Sequence, residues 1–407
     1  MSSEGPVSIV LVGSGGMGAV YLRALLDSSA SGRFRLEGVV DPSPERCPYL
    51  DELGRAAIPI YGGLENFFRQ HSAELAVIAS PIHFHSPQTC LALDHGCHVL
   101  CEKPVAATIQ EARRMAVARD ASGRWVAVGY QWSFSRAIQS LKTDVLAGRL
   151  GKAIRLKCLY LWPRDDAYYR RNDWAGRMRH AGGAWVLDSP ANNAMAHDLH
   201  NILYVIGGSR ERSATPVEVE AELYRAYDIE NFDTAAIRGR TDSGAEFLFY
   251  VSHASFADKG PVLHYTFEKG EVSAAGRGGR IEARWHDGSV HDYGIPDDEP
   301  MAKLWACLEL ARKDASPVCG LDAAMNQTLC INGAQESKPE IASFPRDVLV
   351  KEDNSGRPRT WVRGMDEILG VCFDKNCLPS ELGVSWSRKG KKIGLARDYE
   401  FSGAGRL

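Results

Sequence analysis

The stretch VSIVLVGSGGMGAVYLRALL, residues 7–26, decides how the first third of the chain folds. Its opening six residues, Val7 to Val12, are almost all apolar and read as a buried strand. Glycines follow at 13, 15 and 18, and AVYLRALL then reads as a helix. Each glycine has its own task in such a turn. Gly13 permits the tight bend, Gly15 lets backbone approach a pyrophosphate, and Gly18 lets helix and strand pack closely. The helix start around Gly16 and Met17 offers free N–H groups and a positive dipole end to phosphates. RLEGVVD, residues 35–41, reads as a second strand ending in Asp41. That carboxylate stands where the ribose hydroxyls of a bound dinucleotide are gripped. It also repels a 2′-phosphate, so NAD is favoured over NADP. The nearest following arginine is Arg46.

Working outward, the alternation continues. LENFFRQ (64–70) reads as helix, ELAVIAS (74–80) as strand, and PQTCLALDHG (87–96) as helix. CHVLCEKP (97–104) reads as strand, TIQEARRMAVARDAS (108–122) as helix, and RWVAVGYQW (124–132) as strand. This is the βαβ rhythm of a doubly wound parallel sheet. Ligands of such sheets bind beyond the carboxyl ends of the strands. Ser80, Pro81, His83, His85 and the Glu102-Lys103-Pro104 tripeptide lie at such ends, on the expected nicotinamide side.

The rest of the composition narrows the function classes. A length of 407 residues suggests two domains, and 44% hydrophobic with 24% charged residues describes an ordinary globular chain. The net charge of −3 gives no reason to expect nucleic acid or an anionic membrane as partner. No apolar run approaches the ~20 residues that span a bilayer, and the N-terminus reads as a polar lead-in to a strand. The ten cysteines include no Cys-x-x-Cys pair. Such scattered thiols point to a reduced, cytoplasmic setting, and no metal site is expected.

Past residue 150, strand-like runs begin near 153, 217, 233, 245, 262 and 280, separated by turn signals such as Thr-Asp-Ser-Gly and His-Asp-Gly. They predict an antiparallel sheet. Two segments stand out. YLWPRDDAYYRRNDWAGR (160–177) carries Trp162, Arg164, Tyr168, Tyr169, Trp174 and Arg177, a composition suited to sugars: flat rings stack on C–H faces and Arg or Tyr bonds hydroxyls. In DSPANNAMAHDLH (188–200), Asn193, His197 and His200 are spaced i, i+4, i+7 and would share one helix face. Leu199, Ile202, Leu203 and Ile206 fall on another side, so the helix would be anchored by one stripe and read a substrate with the other. EDNSGRPR (352–359) reads as a flexible connector and the Lys-rich tail beyond it as a solvated surface.

The glycine motif, Glu102-Lys103-Pro104 placed 85 residues after Gly18, and the later Gly-Gly…His197…Gly207 helix together resemble the glucose–fructose oxidoreductase/inositol dehydrogenase (Gfo/Idh/MocA) family over roughly residues 7–345. The resemblance implies an N-terminal Rossmann domain, 1–129, holding NAD through Gly13, Gly15, Gly16, Met17, Gly18, Asp41, Ser80, Pro81, His85, Glu102 and Lys103. It implies a second α/β domain, 130–407, with a large, mostly antiparallel open sheet, residues 351–407 forming an extension. The family's catalytic lysine falls on Lys103, where a general acid/base would serve hydride transfer at a secondary alcohol. Its catalytic histidine falls on His197. Asn193 and His200 stand where many members carry aspartates, and Asp188 is the candidate to replace them. Asn193, His200, Asp188, Tyr168, Trp174 and Arg177 are the expected substrate contacts. A sugar, cyclitol or sugar derivative is the implied substrate, and a dimer or tetramer through the second sheet the implied assembly. Two other uses of the same site stay open: an NAD-dependent glycosidase working by transient oxidation, and a cofactor-bound regulator without turnover.

Overall fold

The computed structural model describes residues 5–313, 315–353 and 355–403. The chain divides into two compact units. The first comprises Met1–Ala106, Gln110–Phe134 and Glu299–Met325, and the second the remaining segments. The expected boundary at 129/130 thus falls five residues early. More importantly, the stretch 299–325 returns to the first unit.

The first unit holds six strands: β1 (Val7–Val12), β2 (Phe34–Val40), β3 (Ile60–Tyr61), β4 (Leu75–Ile78), β5 (His98–Cys101) and β6 (Val126–Val128). All neighbours pair in parallel in the order β3-β2-β1-β4-β5-β6. The order reverses direction between β1 and β4, which opens the crevice where such sheets bind ligands. Ile9, Leu11, Val39, Val77 and Leu100 are fully buried beneath Tyr21, Leu22 and Leu25 of the helix Met17–Asp27. Burying each such aliphatic side chain is worth ~1.5–3 kcal/mol before entropy. Leu304, Cys307 and Leu308 of the helix Ala302–Leu310 enter the same core, and for that reason 299–325 belongs here.

The second unit is built on β7 (Ala153–Leu161), β8 (Pro216–Arg225), β9 (Thr234–Thr241), β10 (Glu246–Ser252), β11 (Lys259–Phe267), β12 (Gly270–Ala275), β13 (Ile281–Trp285), β14 (Val290–Gly294) and β15 (Ala342–Ser343). They form one sheet in the order β14-β13-β12-β11-β7-β10-β9-β8-β15. The β7–β10 and β8–β15 pairs are parallel and the others antiparallel. Alternating side chains divide between two faces. One face meets the helix Ala196–Val205, whose Asn201 donates to the Tyr265 hydroxyl at 3.0 Å.

The opposite face is covered by the chain's own C-terminal residues. The segment expected to be a flexible connector is instead the turn of a hairpin, β16 (Leu349–Asp353) with β17 (Pro358–Val362). The helix Met365–Lys375 follows, and β18 (Ile393–Gly394) adds antiparallel to β8. Leu159, Leu161, Ala236, Leu248 and Tyr250 of the sheet share one core with Val362, Met365, Leu369, Phe373 and Trp386 of this extension. Apolar residues far beyond 351 were solving a packing problem that the strand patterns alone did not reveal. Beyond this cover, the register carries the same face through His264, Ser273 and Glu282, and through Thr266, Glu271 and Arg284, a polar surface. No helix among the described residues is long and apolar enough to cross a membrane.

Candidate active site

In the first unit the glycine turn has the shape its spacing predicts. Gly13 has φ +88°, and a side-chain carbon there would sit 2.9 Å from the Ala79 carbonyl oxygen. At Gly18 that carbon would fall 2.1 Å from the Gly13 carbonyl oxygen, so only glycine lets the helix approach β1. At Gly15, by contrast, an added carbon meets nothing within 4 Å among the described residues. The turn is open on the side where a pyrophosphate would lie. The helix beginning at Met17, with Gly16 as its cap residue, has no side-chain cap and no acid in its first turn. Its terminal N–H groups and dipole therefore suit an anion.

Asp41 follows the end of β2. Its carboxylate accepts from the Ser14 N–H at 2.8 Å, the Ser14 hydroxyl at 2.6 Å and the Ser43 N–H at 2.9 Å. Among the described residues no cation is paired with it. Three donors orient a full negative charge beside the glycine turn and leave lone pairs for further hydroxyls. Ser14 and Ser43 escaped sequence reasoning. Their signal was small polar residues next to a motif glycine and two places past the acid.

Beyond β4 the helix starts at Ile82, not near 87 as expected, with Pro81 at its cap position and Pro87 inside it. The Ser80 hydroxyl donates to Gln88 at 2.6 Å, and half-buried His83 packs its ring on Phe84. His85, expected to line the cofactor, is buried instead. Its Nδ1 lies 2.9 Å from the Pro104 carbonyl oxygen and its Nε2 2.9 Å from that of Ser80. Burial lowers its pKa, so the neutral ring is favoured. Both ring nitrogens face carbonyl oxygens, and the neutral ring, with one N–H, donates to one of the two, between the Ser80 and Pro104 loops.

Lys103 is half-buried just past the carboxyl end of β5, and its peptide bond to Pro104 is cis. Glu102 before it is buried. It accepts from the Tyr21 hydroxyl at 2.6 Å, the Lys303 ammonium and, at 3.2 Å, the Lys103 N–H. Burial pushes the Glu102 carboxyl up, but Lys303 and Tyr21 outweigh it and hold the carboxyl below its usual range. Glu102 thus braces the backbone of the lysine from inside the unit. Lys303 was missed by sequence reasoning. Its signal was a lysine on the apolar stripe of an amphipathic helix, four residues before the buried Cys307.

In the second unit the helix begins only at Ala196, so Asn193 precedes it and does not share its face. Asn193 Nδ2 donates to Asp188 Oδ1 at 2.7 Å, while Asp188 Oδ2 accepts from the Gly176 N–H at 2.7 Å and lies 3.6 Å from Arg171. Leu187, just before, is fully buried with φ +51°, a conformation that side chains seldom adopt and that costs ~1–3 kcal/mol. Such strain persists where the surroundings over-determine a functional position. His197 is half-buried at the helix start. His200 is buried and stacked on Tyr204, and burial followed by the Lys142 charge lowers its pKa. The neutral ring is favoured, and it packs within the second unit. Arg177 is exposed, pairs with Glu230 at 3.1 Å and lines a cavity of about 1420 Å³ within this unit, with Tyr169, Tyr227 and Arg359. Tyr168 and Trp174 belong instead to a stack with Arg171.

Residues 7–130 match the oxidoreductase family of GFO_IDH_MocA type with an NAD-binding Rossmann fold. The chain is 27% identical over 159 residues to the 1-carboxy-3-chloro-3,4-dihydroxycyclohexa-1,5-diene dehydrogenase of Comamonas testosteroni, covering 39% of each. It is 31% identical over 155 residues to the inositol 2-dehydrogenase of Streptomyces avermitilis, covering 38% of this chain and 44% of that one. The matches thus span less than half the length of these curated relatives. A solved structure of the WlbA dehydrogenase of Bordetella pertussis, in complex with NADH and UDP-GlcNAcA, shares the fold. Its TM-score is 0.64 at 21% identity, over 79% of this chain and 93% of that one.

Proposed function

From the match of residues 7–130 to the Gfo/Idh/MocA oxidoreductase family, we propose that the chain moves a hydride between NAD and a secondary alcohol or ketone of a sugar, cyclitol or sugar derivative. The observation that carries this reading is Lys103, braced through Glu102 at the same carboxyl edge of the parallel sheet as the open glycine turn. NAD, when bound, supplies the acceptor for the hydride that leaves the alcohol carbon. The turn from Gly13 to Gly18 and the uncapped helix would hold its pyrophosphate, and Asp41 the ribose hydroxyls. The unpaired charge of Asp41 opposes a 2′-phosphate and so favours NAD over NADP.

Lys103 takes the hydroxyl proton at Nζ when the alcohol is oxidised and returns it when the ketone is reduced. To accept that proton, the amine must be neutral. In the second unit, His197, half-buried at its helix start, is the candidate substrate contact. Asp188 orders the loop before it through Gly176 and Asn193. The inositol dehydrogenase and the dihydroxycyclohexadiene dehydrogenase named above support a hydroxylated ring as substrate. A homo-oligomer through the second sheet would use the polar face of β11 to β14, since the extension covers β7, β9 and β10.

The test is a screen of sugars, cyclitols and glycosides with NAD, scored for NADH and for released aglycone. Net NADH that disappears in Lys103→Met supports the reading. Aglycone release without net NADH would replace it with a glycosidase using transient oxidation.

A further inference from the structure

Three arginines and three aromatic rings alternate in the second unit. Arg277 lies 4.3 Å from the Trp162 ring centre, and Arg164 3.6 Å from the same ring. Arg164 also stands 4.5 Å from the Tyr168 ring, Arg171 3.8 Å from Tyr168 and 5.3 Å from Trp174. The rings stabilise the guanidiniums by cation–π attraction, but a ring does not neutralise a charge.

The charges in the stack do not balance. Arg277 is paired with both carboxylate oxygens of Asp258, at 3.0 and 3.1 Å. Arg171 has Asp188 at 3.6 Å. Arg164, between them, has no carboxylate within ion-pair distance among the described residues, and its Nε is buried without a hydrogen-bond partner. With rings against its faces, the guanidinium keeps a planar edge of N–H donors, its Nε among them without a partner, and such an edge is built for a carboxylate. Burial and the neighbouring Arg171 and Arg277 both disfavour its charge.

A second group adjoins it. The Arg164 N–H donates to the His253 carbonyl at 3.0 Å, and His253 Nδ1 lies 2.9 Å from the Trp162 carbonyl oxygen. That contact requires Nδ1–H, so in the neutral ring Nε2 carries the lone pair. Nε2 is buried without a partner. Burial and Arg164 push the His253 pKa down to about 3, which keeps the ring neutral. An unpaired cationic donor and an unpaired neutral acceptor are therefore built side by side.

We propose that Arg164 and His253 form a subsite for a sugar acid, Arg164 binding its carboxylate and His253 accepting from a hydroxyl of the same molecule. This deepens the oxidoreductase reading and rests on it for the assignment of the acid as substrate. One uncompensated positive charge suits a monoanionic carboxylate better than a dianionic phosphate.

The experiment uses the full-length protein and titration calorimetry, which reports binding without turnover. The probes are D-glucuronate, D-galacturonate, D-gluconate, methyl glucuronate ester and glucose 6-phosphate. At least one acid is expected to bind tenfold or more tightly than the neutral ester. Arg164→Met is expected to lose that preference, while Arg164→Lys, which keeps the charge, retains part of it. Circular dichroism of both variants guards against misfolding. Equal binding of acid and ester, no acid binding in the millimolar range, an unchanged Arg164→Met, or tighter binding of glucose 6-phosphate than of every acid overturns the proposal. NADH formation from the same panel is scored separately, so a failure of the oxidoreductase reading is distinguishable from a failure of the subsite.

Discussion

Glu102 and Lys303, 201 residues apart in the chain, share a buried, hydrogen-bonded ion pair beside Lys103. The pair also holds the Tyr21 hydroxyl and touches the Gly129 carbonyl, so it ties β5, the first helix and the residue after β6 to the helix Ala302–Leu310.

Removing one partner leaves the other charge buried alone. Lys303→Met is expected to destabilise the protein by ~3–5 kcal/mol, and Glu102→Gln in the same background to restore part of the loss. Thermal unfolding of the single and double variants measures both. The sign of the pH effect follows from Glu102. Its folded pKa is depressed, so its stabilisation is present above the unfolded value of ~4.3 and is lost as pH falls through the folded value. Wild type should therefore lose more stability than Lys303→Met on acidification below pH ~4. Equal losses in the two proteins would argue against this pair as an electrostatic brace.

Lys103→Met should leave NAD affinity within a few-fold and lower kcat by ~10²–10⁴, the usual worth of a positioned acid/base. Steady-state kinetics with calorimetric NAD titration separates the two effects. Near wild-type turnover would remove the lysine from the mechanism.

Asp41→Ser deletes a carboxylate oriented by Ser14 and Ser43. The ratio of NADP to NAD dissociation constants should fall toward one, chiefly because NADP binds better. Titration of both cofactors against both proteins checks it, and tighter NADP binding by the wild type would reverse the assignment of Asp41.

Asn193→Asp places two carboxyl groups where an amide now donates to Asp188 at 2.7 Å. Like charges at that distance raise one pKa, so the variant should gain a requirement for acid: its kcat/KM relative to wild type falls as pH rises. His197→Ala should lower kcat/KM strongly with NAD binding and thermal stability kept. A pH profile for Asn193→Asp that overlays wild type would separate this loop from the chemistry.

Lys157 donates from Nζ to the Phe373 carbonyl at 2.6 Å and to Asn376 at 2.9 Å, at the carboxyl end of the helix Met365–Lys375. A cation there satisfies terminal carbonyls and the helix dipole. Lys157→Met should cost ~1–3 kcal/mol and speed hydrogen exchange in residues 365–376 before the rest of the sheet. Unchanged exchange in that helix would show that the apolar contacts alone hold the extension.

The parallel sheet, the glycine turn, Asp41 and the position of Lys103 were legible in the sequence because each depends on neighbours along the chain. A glycine at 13 or 18 is dictated by the carbonyls it must pass, and an apolar run before a helix reads as a buried strand wherever it occurs. The acids and amides around His197 were legible as residue types but not as geometry: the helix begins at Ala196, so the spacing from Asn193 carried no common face. His85 and His200 looked like ligands because a histidine in sequence has no burial, and only packing turned one into a clamp between two loops and the other into a neutral core ring. Lys303 reaching Glu102, Arg164 standing unpaired among rings, and the C-terminal residues covering the second sheet were decided by tertiary structure alone. These features depend on which distant groups share a volume from which water is excluded, and that is settled by the closure of the whole core rather than by any local run of residues.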